Sequence, residues 1–363
     1  MRRIRLVSGP PMRPRPGLRR LARSVPFLFV TVLAAGSALS ACAGGAGTAA
    51  PAGTTSSGAT ASPSSTGGAG SPPVIVAVTT TGALVTLNPA SGVVTRKLVP
   101  AGVLGGEISV SATGMVYFAR ENGCSSKIEA TPLSGGSAAV IASGSVPDVS
   151  PNGSKLAYAD QPSLTAGCAP RTPDLVPLYH LDIRTLRSGS TVSFPMVPAR
   201  QDSSLPAPIS HLSWASDNDH LAVSTSAVED NEGFDLVLVD TSQARYYLTG
   251  AGTSLVPVTG KPAAQDSYLR EGVFMPDGNL FVSRACCAGV PVRNISRLMW
   301  EVTTSGAFVH QVAIGYPNLD HTSLDVSAAG DWLLYLAGNA LYVSAGGATP
   351  RELTSGLAAA AWG

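Results

Sequence analysis

An all-β fold, a β-propeller of six four-stranded blades closed by the C-terminal strand, is predicted by three features of this 363-residue chain. From residue 74 onward no window of about 11 residues carries a helical stripe, while short runs of Val, Leu, Tyr and Thr alternate with period two. One strand-turn-strand unit recurs, and unmatched strands stand at the two ends of the repeat. The 39 Gly and 28 Pro, set against 17 Phe and Tyr, favour many turns over long helices.

The unit is an apolar strand, a turn of Ser, Pro, Asp, Asn or Gly, then a second strand. It occurs at residues 108–119, 149–159, 212–224, 273–283 and 324–336. Third and fourth strands are expected at 178–183, at 236–239 with 246–249, at 298–302 with 308–314, and at 341–343 with 351–354. Four strands make one propeller blade. Residues 74–78, 83–87 and 93–98 supply three strands without an inner one, and 357–362 is a single leftover strand whose Trp362 aligns with Trp214. The C-terminal strand is therefore expected to complete the first blade, which removes the open sheet edges that invite aggregation.

The motifs Ser150-Pro151-Asn152-Gly153 and Pro276-Asp277-Gly278, each followed by an apolar strand, resemble TolB-like propeller repeats, which also occur in the N-terminal domains of prolyl oligopeptidase-family enzymes. The resemblance spans residues 74–363 and implies a scaffold or transport-accessory role. The turn signature is replaced by Ala112-Thr113-Gly114, Ser216-Asp217-Asn218 and Ala328-Ala329-Gly330 in three copies.

Ahead of the repeat, residues 1–24 hold eight Arg and no acid, and residues 25–41 form a mostly apolar run. Together, residues 1–41 read as a signal peptide. Leu39-Ser40-Ala41-Cys42 resembles the lipobox of bacterial lipoproteins, which implies that the Cys42 thiol receives a lipid and becomes the new N-terminus. Two or more acyl chains hold stably to a bilayer. Arg19-Arg20 leaves both the general secretory and the twin-arginine routes open. Residues 43–73 contain only Ala, Gly, Ser, Thr and Pro, so 42–73 is expected to be a lipidated tether, spanning roughly 30 Å r.m.s. as a flexible coil. The expected location is the outer face of the cell membrane.

The formal charge of +1 includes the eight Arg of the leader; without them 16 basic residues face 23 acidic ones, a balance of −7 that argues against nucleic acid as a partner. The repeat contains no Gly-x-Ser-x-Gly elbow, His-Glu-x-x-His pair, phosphate loop or dinucleotide fingerprint. Neither a cofactor nor a metal is expected.

Links from strand one to two are tight, whereas residues 160–176, 194–208, 226–235, 250–268 and 284–297 form long links on the opposite rim. That rim is the expected binding face. Aligning Val110, Val149, Trp214, Phe274 and Val326 puts Glu107, Val146, His211, Glu271 and Ser323 at one register near it, with Arg270, Asp320 and His321 one or two positions away. These residues are expected to surround the channel mouth. Besides Cys42 there are Cys124, Cys168, Cys286 and Cys287. Cys124 and Cys168 fall in equivalent links of consecutive blades and form the preferred disulfide, leaving Cys286 and Cys287 as a vicinal pair or free thiols. The expected function is that of a monomeric, non-catalytic propeller binding a protein or cell-envelope component. The alternative is a cell-surface hydrolase or lyase acting on a carbohydrate through Glu107, His211, Glu271 or His321.

Overall fold

The computed structural model describes residues 71–161, 180–195, 208–225, 235–242, 253–254, 267–286, 298–314, 321–346 and 348–363. These form six antiparallel four-stranded sheets. The first blade contains β1 (Ile75–Thr79), β2 (Leu84–Leu87) and β3 (Val94–Val99). The second runs β4 (Val103–Val110), β5 (Met115–Asn122), β6 (Ser125–Pro132) and β7 (Ala139–Ser143). The third has β8 (Ser145–Val149), β9 (Lys155–Asp160), β10 (His180–Thr185) and β11 (Thr191–Pro195), and the fourth β12 (Ile209–Trp214), β13 (His220–Thr225), β14 (Asp235–Asp240) and β15 (Thr253–Ser254). The fifth has β16 (Ser267–Phe274), β17 (Leu280–Cys286), β18 (Leu298–Val302) and β19 (Phe308–Ile314). The sixth has β20 (His321–Val326), β21 (Trp332–Ala337), β22 (Ala340–Ala345) and β23 (Arg351–Ser355).

The last strand, β24 (Leu357–Trp362), pairs antiparallel with β1, Trp362 opposite Ile75, and is the inner strand of the first blade. The first and last described strands thus share one sheet, and the ring closes. The outer described strand of the fourth blade is the two-residue β15 at Thr253–Ser254; the strand expected at 246–249 lies outside the described residues.

The tight strand-one-to-two turn has the same geometry in five blades. In each, a backbone N–H three residues on closes the turn: Gly114 onto Ser111, Gly153 onto Ser150, Asn218 onto Ala215, Gly278 onto Met275 and Gly330 onto Ser327. The closing residue is left-handed, with φ of 89° at Gly278 and 64° at Asn218. Glycine meets no Cβ penalty there, and Asn is among the few other residues that visit this region readily. The departures from the Asp-Gly signature therefore keep its essential element.

Alternate residues of each blade pack against the next blade. Between the first and sixth, Ile75, Leu87, Leu334, Leu341 and Trp362 form one buried cluster, with Trp332 edge-on to Trp362 at 6.4 Å. Equivalent clusters join the other blades, such as Leu181, Phe194, Leu212, Trp214 and Val239 between the third and fourth. The core is a ring of interblade layers around a polar axis.

The rim opposite the tight turns is uneven. Over the second and sixth blades its links are short: Gly123 and Cys124 between β5 and β6, Gly144 between β7 and β8, and Gly356 between β23 and β24. The long links belong to the third, fourth and fifth blades, and most of their residues lie outside those described.

Candidate functional site

Each inner strand is an edge strand, so part of its backbone faces the channel without a ladder partner. Buried main-chain groups need partners. A belt of side chains supplies them, reaching from one blade to the aligned residue of the next. Ser109 Oγ accepts from the Val149 N–H at 3.0 Å and donates to Asp148 Oδ1 at 2.7 Å. Asp148 Oδ2 accepts from the Trp214 N–H at 3.0 Å, and its carbonyl accepts from the Trp214 indole at 3.1 Å. Ser213 Oγ accepts from the Phe274 N–H at 2.9 Å. Asp325 Oδ2 accepts from the Trp362 N–H at 2.7 Å and so ties the closing strand to the sixth blade.

The belt residues sit one position before the aligned residue. Val273 and Ala361 occupy the same place on the other two inner strands. At the junction following Val273, Glu271 Oε2 accepts from the Leu324 N–H at 3.3 Å.

Two positions earlier lies the ring singled out in the sequence. Glu107 and His211 meet directly, Nδ1 to Oε1 at 3.2 Å, with both side chains buried. Glu107 Oε2 also accepts from the Leu212 N–H at 2.8 Å. Val146 and Ser323 have φ of 52° and 51°. A left-handed φ is a true outlier for β-branched Val. The pairing register of β8 shifts between Ser145 and Asp148, and that of β20 between Thr322 and Asp325. These bulges re-aim the strand at the channel. Arg270 and His321 lie on β16 and β20, but their side chains, and Asp320 entirely, are outside the described residues.

Together the inner strands enclose a cavity of about 390 Å³. Its walls include Glu107, Asp148, His211, Trp214, Asp325 and Trp362. It also reaches Ala112, Pro151, Ser216, Pro276 and Ala328, all in the tight turns. The cavity thus extends to the rim opposite the one expected to bind.

Burial governs the charges. Desolvation pushes Asp148 and Asp325 up to about 7, outweighing their hydrogen bonds. Glu107 is raised well above the carboxylate range, by burial first and the nearby Asp148 second. His211 is pushed down to about 4 by burial. A carboxyl with a raised folded-state pKa binds protons more tightly folded than unfolded, so its contribution falls as pH rises from about 4 to about 7. His211, with its lowered value, opposes this between about 4 and 6.5. Three raised acids outweigh one histidine. Urea unfolding is therefore expected to show stability declining from pH 4 to 7, with Asp148→Asn and Asp325→Asn flattening the decline; an unchanged slope in both variants would contradict this.

Cys124, between β5 and β6, is disulfide-bonded. Cys168 and Cys287, and the side chain of Cys286, lie outside the described residues. Among the described residues no group of His, Cys, Asp and Glu is arranged to hold a metal ion.

The closed ring and its channel define a six-bladed propeller, TolB-like in fold. The chain is similar to TolB from Acinetobacter baumannii, with a TM-score of 0.53 and 12% identity over 80% of this chain. It spans 65% of that protein's length. It is also similar to a candidate TolB from Agrobacterium tumefaciens (TM-score 0.48, 12% identity, 80% of this chain and 91% of that one). An oligogalacturonate lyase in complex with manganese gives a TM-score of 0.43 at 14% identity, over 79% of this chain and 75% of that one. No protein-family model and no curated protein matches the chain in sequence. At these identities the likeness is one of fold.

Proposed function

We propose that this is an exported propeller lipoprotein, anchored through Cys42 and the 43–73 tether, that binds a protein or cell-envelope component at its central channel. The observation that carries the binding role is the cavity at the centre of the closed ring, whose wall combines the polar Glu107, Asp148, His211 and Asp325 with the aromatic Trp214, Phe274 and Trp362. The carboxylates of the belt are occupied in holding main-chain N–H groups, which favours a rigid scaffold over a reactive centre. Sharing a fold with a TolB supports the same reading. The Cys124 disulfide is assigned to Cys168, which would join the second and third blades on one rim.

The anchor has a direct test. Acylation needs the thiol, so Cys42→Ser is expected to leave an unprocessed or released species, seen by membrane fractionation and gel mobility. A variant that fractionates and migrates like the unmodified chain would remove the anchor from the account. Crosslinking in living cells, followed by identification of what co-purifies, tests the binding role.

A specific feature favours the second reading, a carbohydrate hydrolase or lyase. Glu107, held toward its protonated form, lies 3.2 Å from a neutral His211. Such pairs suit proton transfer. That reading requires release of new sugar ends from envelope polysaccharide, lost in Glu107→Gln.

A further inference from the structure

The outer strands of the blades are not alike. Bulges break the ladder of β3 on β2, β7 on β6, β19 on β18 and β23 on β22. Charges add to this on β3, with Arg96 and Lys97, and on β23, with Arg351 and Glu352. Bulges and charges are the devices that blunt a sheet edge. β11 has neither: its pairing with β10 runs from Arg184–Thr191 to His180–Pro195 without a shift, and Thr191-Val192-Ser193-Phe194-Pro195 holds no charged residue. Among the described residues β11 has no strand on its outer side, and Val192 is 44% exposed.

The hairpin fixes which main-chain groups face outward. Thr185 N–H donates to the Ser190 carbonyl at 2.8 Å, so the even-numbered residues of β11 turn their main chain toward β10 and the odd-numbered ones turn theirs away. Thr191 and Ser193 therefore each present an N–H and a C=O at the edge, and Pro195 presents only a C=O. A second β11, antiparallel about a twofold axis at Val192, matches this pattern. Thr191 meets Ser193 of the second copy, Ser193 meets its Thr191, and each pair exchanges both N–H groups. Moving the axis one residue, to Ser193, would set Thr191 opposite Pro195, where one donor is missing. Antiparallel pairing also brings the Arg184 end of one edge beside the Asp160 end of the other.

We propose that β11 is a self-association edge, on which a second copy of this chain pairs through Thr191, Val192 and Ser193 to join two third blades into one antiparallel sheet. This replaces the monomer expected from the sequence and rests on neither the channel nor the anchor. The interface is isologous, the same strand on both copies. At its centre the two Val192 side chains cover each other as a non-hydrogen-bonded pair, with Cα atoms about 4.5 Å apart. One strand pair is a small interface, so the association is weak and concentration-dependent.

The test is disulfide trapping in intact cells with Val192→Cys in the full chain, since a pair at that spacing is within reach of a disulfide. Val140→Cys is the control, a more exposed valine (59%) on the bulged β7, and the unmodified chain measures crosslinking by the native cysteines. Because pairing holds the two thiols together, covalent dimer on a non-reducing gel is expected at least about fivefold above both controls. Adding Thr191→Pro removes an outward N–H and none that the β10 ladder uses, and should return the yield to the control level. If the proline chain does not fold, the comparison of Val192→Cys with Val140→Cys decides alone. A yield from Val192→Cys no higher than from Val140→Cys would overturn the proposal, as would a yield that Thr191→Pro leaves unchanged in a chain that keeps its melting temperature. A disulfide from Val192→Cys to a different protein would give the edge to another occupant and overturn the second copy.

Discussion

Removing residues 357–363 is expected to abolish cooperative folding of the propeller, not merely to trim it. Termini are usually dispensable unless built into a sheet. Here Leu357, Ala359, Ala360, Ala361 and Trp362 are all buried, and the strand contributes the whole inner edge of the first blade. Truncating a buried Trp alone costs about 3–5 kcal/mol, and Leu357 adds about 2–5 kcal/mol. That approaches the entire stability of a typical domain, about 5–15 kcal/mol. The loss would also free Asp325 from its bond to Trp362 and expose the inner edge of β1 to other chains. Differential scanning calorimetry of the truncated chain should show no cooperative transition, and aggregation should follow. A melting temperature equal to that of the full chain would sink the closed-ring architecture. Asp325→Ala offers a milder version: it leaves the Trp362 N–H unpaired, at a cost of about 1–3 kcal/mol.

The ring was legible in the sequence because a propeller writes its period openly. Each blade repeats the same strand-turn-strand register, and the orphan strands at 74–98 and 357–362 can satisfy one another only by pairing. Boundaries were less legible in the fourth blade, where β15 has two residues and no apolar alternation to betray it. Asn218 looked like a departure from the turn signature, yet its side chain type tolerates the left-handed backbone that Gly provides in the other turns.

The site was half visible. Glu107, His211 and Glu271 stand out as polar residues at one register, and the structure brings Glu107 and His211 into contact. Ser109, Asp148, Ser213 and Asp325 were passed over, although a Ser or Asp recurs at the same offset before a large apolar residue in four of the six inner strands. Their role depends on a main-chain group in the neighbouring blade, which is remote in sequence: Asp148 reaches Trp214, and Asp325 reaches Trp362. The direction of the cavity was also hidden. Loop length pointed to one rim, whose long links lie mostly outside the described residues, while the cavity lining reaches Ala112, Pro151 and Ala328 in the tight turns of the other.

The burial of Glu271 changes how the binding claim should be probed. Because its carboxylate holds the Leu324 N–H, Glu271→Ala would cost stability and confuse the result. Glu107→Gln keeps an oxygen for the Leu212 N–H, and His211→Asn keeps a polar atom near the Nδ1 position while removing the imidazole. Arg270→Ala adds the third residue of the expected channel mouth. The central claim is that the chain works by binding through this channel, and in-cell crosslinking with the Glu107→Gln, His211→Asn, Arg270→Ala chain tests it most directly. With a melting temperature close to that of the unmodified chain, partner capture should fall by about tenfold or more, as expected when contacts at the centre of an interface are lost. Undiminished capture by the folded triple variant, with loss instead on replacing exposed residues of the outer strands such as Val94 and Val192, would contradict it.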